Sequence, residues 1–136
     1  MNLQKTKKFF LALPLVTALF ASFGCVSPKT SGVLVEKGRI AIENPAFASN
    51  IEIIRDSREM TEDGYLHVQV VLKNTNHSDY QCQYSIEWIG KNRMVLKHAP
   101  SPWRPLVLHG RETKEIDVVS PIPGAEDFRL KLRRMD

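Results

Sequence analysis

Cysteine is nearly absent from this chain of 136 residues, which has two, Cys25 and Cys82. Cys25 closes an N-terminal apolar segment and has its own use there. No internal disulfide is therefore expected, and a small fold stapled by disulfides is excluded. Glycine is sparse as well, seven in all, and none is set out as a phosphate-cradling loop or a nucleophile elbow. The histidines, His67, His77, His98 and His109, are scattered, and none stands within four residues of another histidine or a cysteine. That spacing offers no zinc motif. No apolar run is long enough to span a bilayer. The longest, Phe9 to Phe23, has fifteen residues and is interrupted by Pro14, against the ~20 a transmembrane helix needs. Excess charge is also missing. Removing Lys5, Lys7 and Lys8 from the nineteen bases leaves sixteen, against fifteen acids. A nearly neutral domain lacks the basic surface that nucleic acid requires.

What is present begins with a targeting signal. Residues 1–24 have a basic start, an apolar stretch from Phe9 to Ala21, and Ser22-Phe23-Gly24 ahead of Cys25. These are the three parts of a secretory signal peptide. Gly24-Cys25 resembles the lipobox of bacterial lipoproteins, in which the cysteine thiol takes a diacylglycerol and the peptide is cut before it. Ordinary secretory cleavage, with Ser22 and Gly24 as the small pair and Cys25 left free, stays open beside that reading. The residue after the cysteine is Val26 rather than Asp. By resemblance to the sorting rule of Gram-negative lipoproteins, this implies a periplasm-facing anchor in the outer membrane. Residues 25–32 read as the lipidated cysteine and a short tether, reaching at most ~25 Å at ~3.4 Å per residue. Residues 33–136 are the folded domain.

The domain is organised around Gly64 to Trp88. Leu66, Val68, Val70 and Leu72 recur at period two, and so do Tyr80, Cys82, Tyr84, Ile86 and Trp88. Each stretch is a strand with one apolar and one wet face. The polar run Asn74 to Asp79 between them reads as the turn of a central hairpin. Val33–Val35 and then Arg39–Ile42 suggest a short first strand or an irregular edge, and further strands are expected at Ile51–Arg55, Met94–Leu96, Leu106–Leu108, Thr113–Val119 and Phe128–Arg133. Asp56 to Gly64 reads as a charged loop, and Pro45 as a stop. About seven short strands with frequent turn signals indicate an all-β, antiparallel, immunoglobulin-like sandwich, with Trp88 between its sheets.

Three stretches, Tyr84–Trp88, Trp103–Gly110 and Ser120–Leu130, resemble the YcfL-like family of small Gram-negative lipoproteins. The likeness runs from about Gly32 to Arg133. It implies an immunoglobulin-like sandwich behind a lipid anchor, and it carries over no catalytic residue.

The chemistry-bearing residues point mostly to structure. Each histidine is expected at solvated surface. Cys82, on an apolar face, reads as a small buried hydrophobe. Glu112, Glu115 and Asp117 read as a solvated strand face. Arg129, Lys131 and Arg133, with Arg134, form a basic stripe that reads either as edge protection or as a contact for anionic headgroups. Trp103 and Arg104 stand in a loop carrying Pro100, Pro102 and Pro105. They are the candidate partner-binding residues, with packing of Trp103 onto the core as the alternative. The expected activity is a non-enzymatic binding or assembly module with no metal and no cofactor, anchored through Cys25 and facing a periplasmic protein partner. The rival is a small enzyme or metal-binding protein using Cys82 or a histidine.

Overall fold

The computed structural model describes residues 33–135. The signal peptide, the anchor at Cys25 and the tether expected for residues 1–32 lie outside the described residues. The elements are β1 (Leu34–Lys37), β2 (Ile40–Glu43), a helical turn α1 (Pro45–Ala48), β3 (Ile51–Met60), β4 (Leu66–Asn74), β5 (Tyr80–Ile89), β6 (Arg104–Leu108), β7 (Thr113–Val119) and β8 (Asp127–Arg134). Two sheets form, one in the order β1-β2-β8-β5-β6 and one in the order β3-β4-β7. Every pairing is antiparallel except β2 with β8, which is parallel.

The central hairpin expected from sequence does not form. β4 pairs with β3 and β7, while β5 pairs with β6 and β8 in the other sheet. The two apolar rows were read in the right phase, but they face each other across the core instead of lying side by side. Val68, Val70 and Leu72 of β4 and Cys82, Ile86 and Trp88 of β5 are all buried. They meet Ile40, Ile42, Leu130 and Leu132 from β2 and β8 in one cluster.

Asn74 makes the crossing between sheets possible. It is fully buried, and its Nδ2 donates to the carbonyls of Ser78 (2.8 Å), His109 (3.0 Å) and Leu108 (3.3 Å). Its Oδ1 accepts from the Asn76 N–H at 2.9 Å. One side chain thus ties the β4–β5 connection to the β6–β7 turn. A Cβ on Gly110 of that turn would lie 2.0 Å from the His77 carbonyl oxygen, so only glycine lets the two backbones approach so closely.

The charged stretch after Arg55 is strand, not loop. β3 runs on to Met60 through a bulge between Ile53 and Arg55. The bulge shifts the phase, so Asp56 and Arg58 share the inward face with their partners Val70 and Val68. Their charges are met from the other sheet. Arg58 pairs with Asp127 (2.7 Å), and Arg39 pairs with Asp127 (2.8 Å) and Asp56 (3.6 Å). This cluster closes one flank of the sandwich. Two smaller expectations also change. Met94–Leu96 makes only an isolated bridge, Ile89 to Val95. Pro45 starts a helical turn, capped by the Asn44 side chain, rather than merely ending a strand. The eight strands among the described residues agree with the expected count of about seven.

The order of strands can be set against the immunoglobulin plan, in which A, B and E share one sheet and C, C′, F and G the other. From β3 to β8, the strands occupy the places of A, B, C, C′, E and F in chain order. Trp88 on β5 stands where the buried strand-C tryptophan of that plan stands. The place of G beside β8 is filled from the other end of the chain, by β2. No described strand fills the place of D beside β7.

Candidate functional site

The flank opposite the charged cluster lies between the sheet edges β6 and β7 and is only half closed. At one end Lys114 of β7 donates from Nζ to the Val107 carbonyl of β6 at 3.0 Å. At the other end the edges part around a cleft of about 120 Å³. Its floor is the inward row of β5, Tyr84, Ile86 and Trp88, and its walls are Val118, Pro121, Pro100, Pro102 and Arg104. Period-two alternation of β5 aims the floor residues inward. The β3-β4-β7 sheet ends at β7, and the cleft opens beside it with Tyr84 half-buried and Ile86 and Trp88 buried at its base.

The proline-rich loop forms the rim. Proline supplies no ladder donor, so the loop is held beside β5 by hydroxyls. Ser85 Oγ donates to the Ser101 carbonyl (2.9 Å) and Ser101 Oγ donates to the Ile86 carbonyl (2.6 Å). Pro105 sits on the edge strand β6, where proline is tolerated. Trp103 and Arg104, paired by the sequence reading, part company here. Arg104 lines the cleft. Trp103 is 38% exposed, and the Arg133 guanidinium stacks 4.0 Å from its ring centroid. It packs on side chains of a sheet surface rather than on the core.

The basic stripe is not edge protection, because β8 lies in the middle of its sheet between β2 and β5. Alternation showed which residues shared a face, but not that the strand had neighbours on both sides. Its charges are largely answered in place. Arg129 pairs with Glu36 and Lys131 with Glu87. Arg133 donates to the Gln83 side chain at 2.8 and 3.0 Å.

The histidines lie at the surface as expected, His77, His98 and His109 exposed and His67 partly so, and three of them have polar partners there. His67 Nε2 lies 2.6 Å from Asp117 Oδ1, and His109 Nδ1 lies 3.1 Å from Asp79 Oδ2. His77 meets Arg111 at 2.9 Å, and His98 is exposed. Gln69 and then His67, both hydrogen-bonded to Asp117, hold its carboxyl below the ordinary carboxylate range. Asp79 is lowered by His109 and by the Gly110 N–H. No serine, threonine or cysteine hydrogen-bonds either imidazole among the described residues. Nor, among them, does any group of three His, Cys, Asp or Glu stand ready to hold a metal ion. Cys82 is buried, and its Sγ donates to the Leu106 carbonyl at 3.1 Å. Burial pushes its thiol up to about 11, with Lys114 pulling weakly the other way. Little thiolate exists at neutral pH to act as a nucleophile.

Residues 38–134 match the family model described as protein of unknown function (DUF1425). The chain belongs to the DUF1425 family. Two solved structures share its fold. One is the crystal structure of Campylobacter jejuni cj0090, with a TM-score of 0.63, 18% identity, 73% of this chain covered and 100% of that one. The other is a DUF1425 family member from Shewanella sp. pv-4, with a TM-score of 0.56, 20% identity, 79% of this chain covered and 93% of that one. At these identities the likeness speaks for the sandwich alone. No curated protein matches the chain. The cleft and its Trp88 floor were not anticipated from sequence. The signal that pointed near them was the run of prolines around Arg104.

Proposed function

We propose that this DUF1425 protein is a non-enzymatic binding module, anchored by lipid at Cys25 to the outer membrane and facing the periplasm. The observation that carries the binding role is the cleft between the β6 and β7 edges, with an aromatic floor at Trp88 and Tyr84 and a cationic rim at Arg104. Concave apolar sites with a few placed polar groups are where ligands and partner side chains seat. The deep burial and raised pKa of Cys82 support a role without covalent catalysis. The anchor rests on the basic-apolar signal, Gly24-Cys25, and the likeness to YcfL-like lipoproteins. The chain enters the domain at β1, the edge of its sheet opposite β6. The cleft flank is therefore the one turned away from the entry of the tether.

The anchor is tested by Cys25→Ser, expected to leave the precursor uncut and to take up no labelled palmitate. A wild type that carries no lipid would remove that half of the proposal. The binding role is tested by photocrosslinking in living cells from position 104, with exposed position 55 on β3 as control. A defined protein partner captured from 104 and absent from 55 is the expected result. Equal or empty capture from both positions refutes the cleft.

A further inference from the structure

The two sheets present four edges, and three of them are blocked against added strands. β1 is only four residues long, with its Lys37 Nζ bonded to the carbonyls of Ala48 and Ile51. β3 carries the bulge and the inward charges Asp56 and Arg58. β6 carries Pro105 as its second residue and the proline-rich loop ahead of it. These are the devices by which proteins prevent edge-to-edge pairing. β7 has them only at its start, where Lys114 reaches across to Val107. From Glu115 to Val119 it has no proline, no bulge and no inward charge. It pairs with β4 alone, so the alternate N–H and C=O groups along its other side have no strand partner. This is also the side on which the immunoglobulin plan places a D strand.

From this edge inventory we infer that Glu115–Val119 of β7 accepts an extended segment of a partner protein as a fourth strand of the β3-β4-β7 sheet. The bound segment would alternate basic and apolar residues. The inference rests on the binding-module reading and names the partner's chemistry.

Alternation fixes that chemistry. On the outer face β7 presents Glu115 and Asp117, both exposed, and opposite charges directly across a strand pair are favourable. On the inner face the added strand passes the mouth of the cleft beside Val118, where an apolar side chain can seat between Val118 and Tyr84. Main-chain bonds then supply affinity and alternate side chains supply specificity, as in other strand-addition complexes. A second copy of this chain is a poor occupant. Antiparallel pairing of β7 with itself about Ile116 sets Glu115 against Asp117, and pairing about Asp117 sets that residue against itself. Like charges directly opposite destabilise the pair.

The test uses the full lipoprotein in detergent and two synthetic peptides, one alternating lysine and valine, the other glutamate and valine. Amide hydrogen exchange is read along β7. The lysine peptide is expected to slow exchange at the open-edge amides of residues 115–119 and to bind about tenfold tighter than the glutamate peptide, as two opposite-charge pairs would give. The double variant Glu115→Lys with Asp117→Lys should invert that preference. Glu115→Lys alone, at an exposed site without a side-chain hydrogen bond among the described residues, should reduce it if the double variant does not fold. Equal binding of both peptides, protection elsewhere, or self-association of the chain through β7 would each overturn the inference. A partner crosslinked at position 104 together with unprotected β7 amides would retain the module and discard the added strand.

Discussion

Asn74 Nδ2 donates to the His109 carbonyl at 3.0 Å across thirty-five positions of sequence, and both sheets turn on that bond. Asn74→Ala removes a buried donor group shared by three carbonyls and the acceptor for the Asn76 N–H. It should cost about 3 kcal/mol or more, at about 1–3 kcal/mol for each buried group left unpaired. Asn74→Asp keeps the shape but faces the same carbonyls with an acceptor. Its carboxyl should resist ionising in the fold, so the loss should deepen as pH rises through about 4. Denaturant midpoints of the two variants at low and neutral pH check both statements.

Trp88 is 2% exposed at the boundary between core and cleft. Trp88→Ala should lower stability by about 3–5 kcal/mol, a large share of what a domain of this size possesses. Trp88→Phe should keep most of it. A loss within about 0.5 kcal/mol for the alanine variant would show that the indole does not hold the sheets together.

Alternation along β4 and β5 told which residues face the core, and every one of those assignments from Leu66 to Leu72 is buried. It could not tell which strand lies beside which. An apolar face is equally well covered by a neighbour in a hairpin or by a strand about 10 Å across a sandwich. The decision rests with Asn74, whose partners lie as far away as His109 and are invisible locally. The same limit hid β3. Asp56-Ser57-Arg58-Glu59 reads as loop because the countercharge, Asp127, lies 69 positions from Arg58. At the site, Arg104 was legible as a residue in a stiff loop. The cleft was not, since it arises where β7 ends one sheet beside the half-buried Tyr84 of the other.

Cys82 should be silent toward thiol reagents in the native state. With its thiol pushed to about 11 by burial, labelling near neutral pH should proceed only as fast as the domain unfolds. The Cys25→Ser chain, with Cys82 as its one remaining thiol, gives the clean measurement. Rapid modification of folded protein would reopen the enzymatic alternative.

Acid should weaken the flank held by Asp127. Burial acts to raise this carboxyl, but the Phe128 N–H and the charges of Arg39 and Arg58 outweigh it and hold it below the usual value of 3.8. A carboxyl depressed in the folded state binds fewer protons there than in the unfolded chain. Its contribution is therefore complete above that value and fades as pH falls through it toward the lower folded one. Asp127→Asn should flatten the fall in denaturation midpoint as pH drops below about 4. An unchanged acid limb would show that the cluster contributes nothing to stability. Because these side chains are about a third exposed, the effect should be modest and should shrink in salt.

The last strand in sequence is a middle strand in space. β8 lies between β2 and β5, and it pairs Ile40 with Leu130 and Ile42 with Leu132 across some ninety positions. A chain delivered from its N-terminus, by a ribosome or through a membrane, therefore cannot close this sheet until Asp127–Arg134 has arrived. Until then β2 and β5 each expose an edge meant for β8, and such edges are where growing chains misassociate. Pairings this distant in sequence also make for slow closure. A chain cut short before Asp127 would hold β1-β2 and β5-β6 as two half-sheets with no seam to join them.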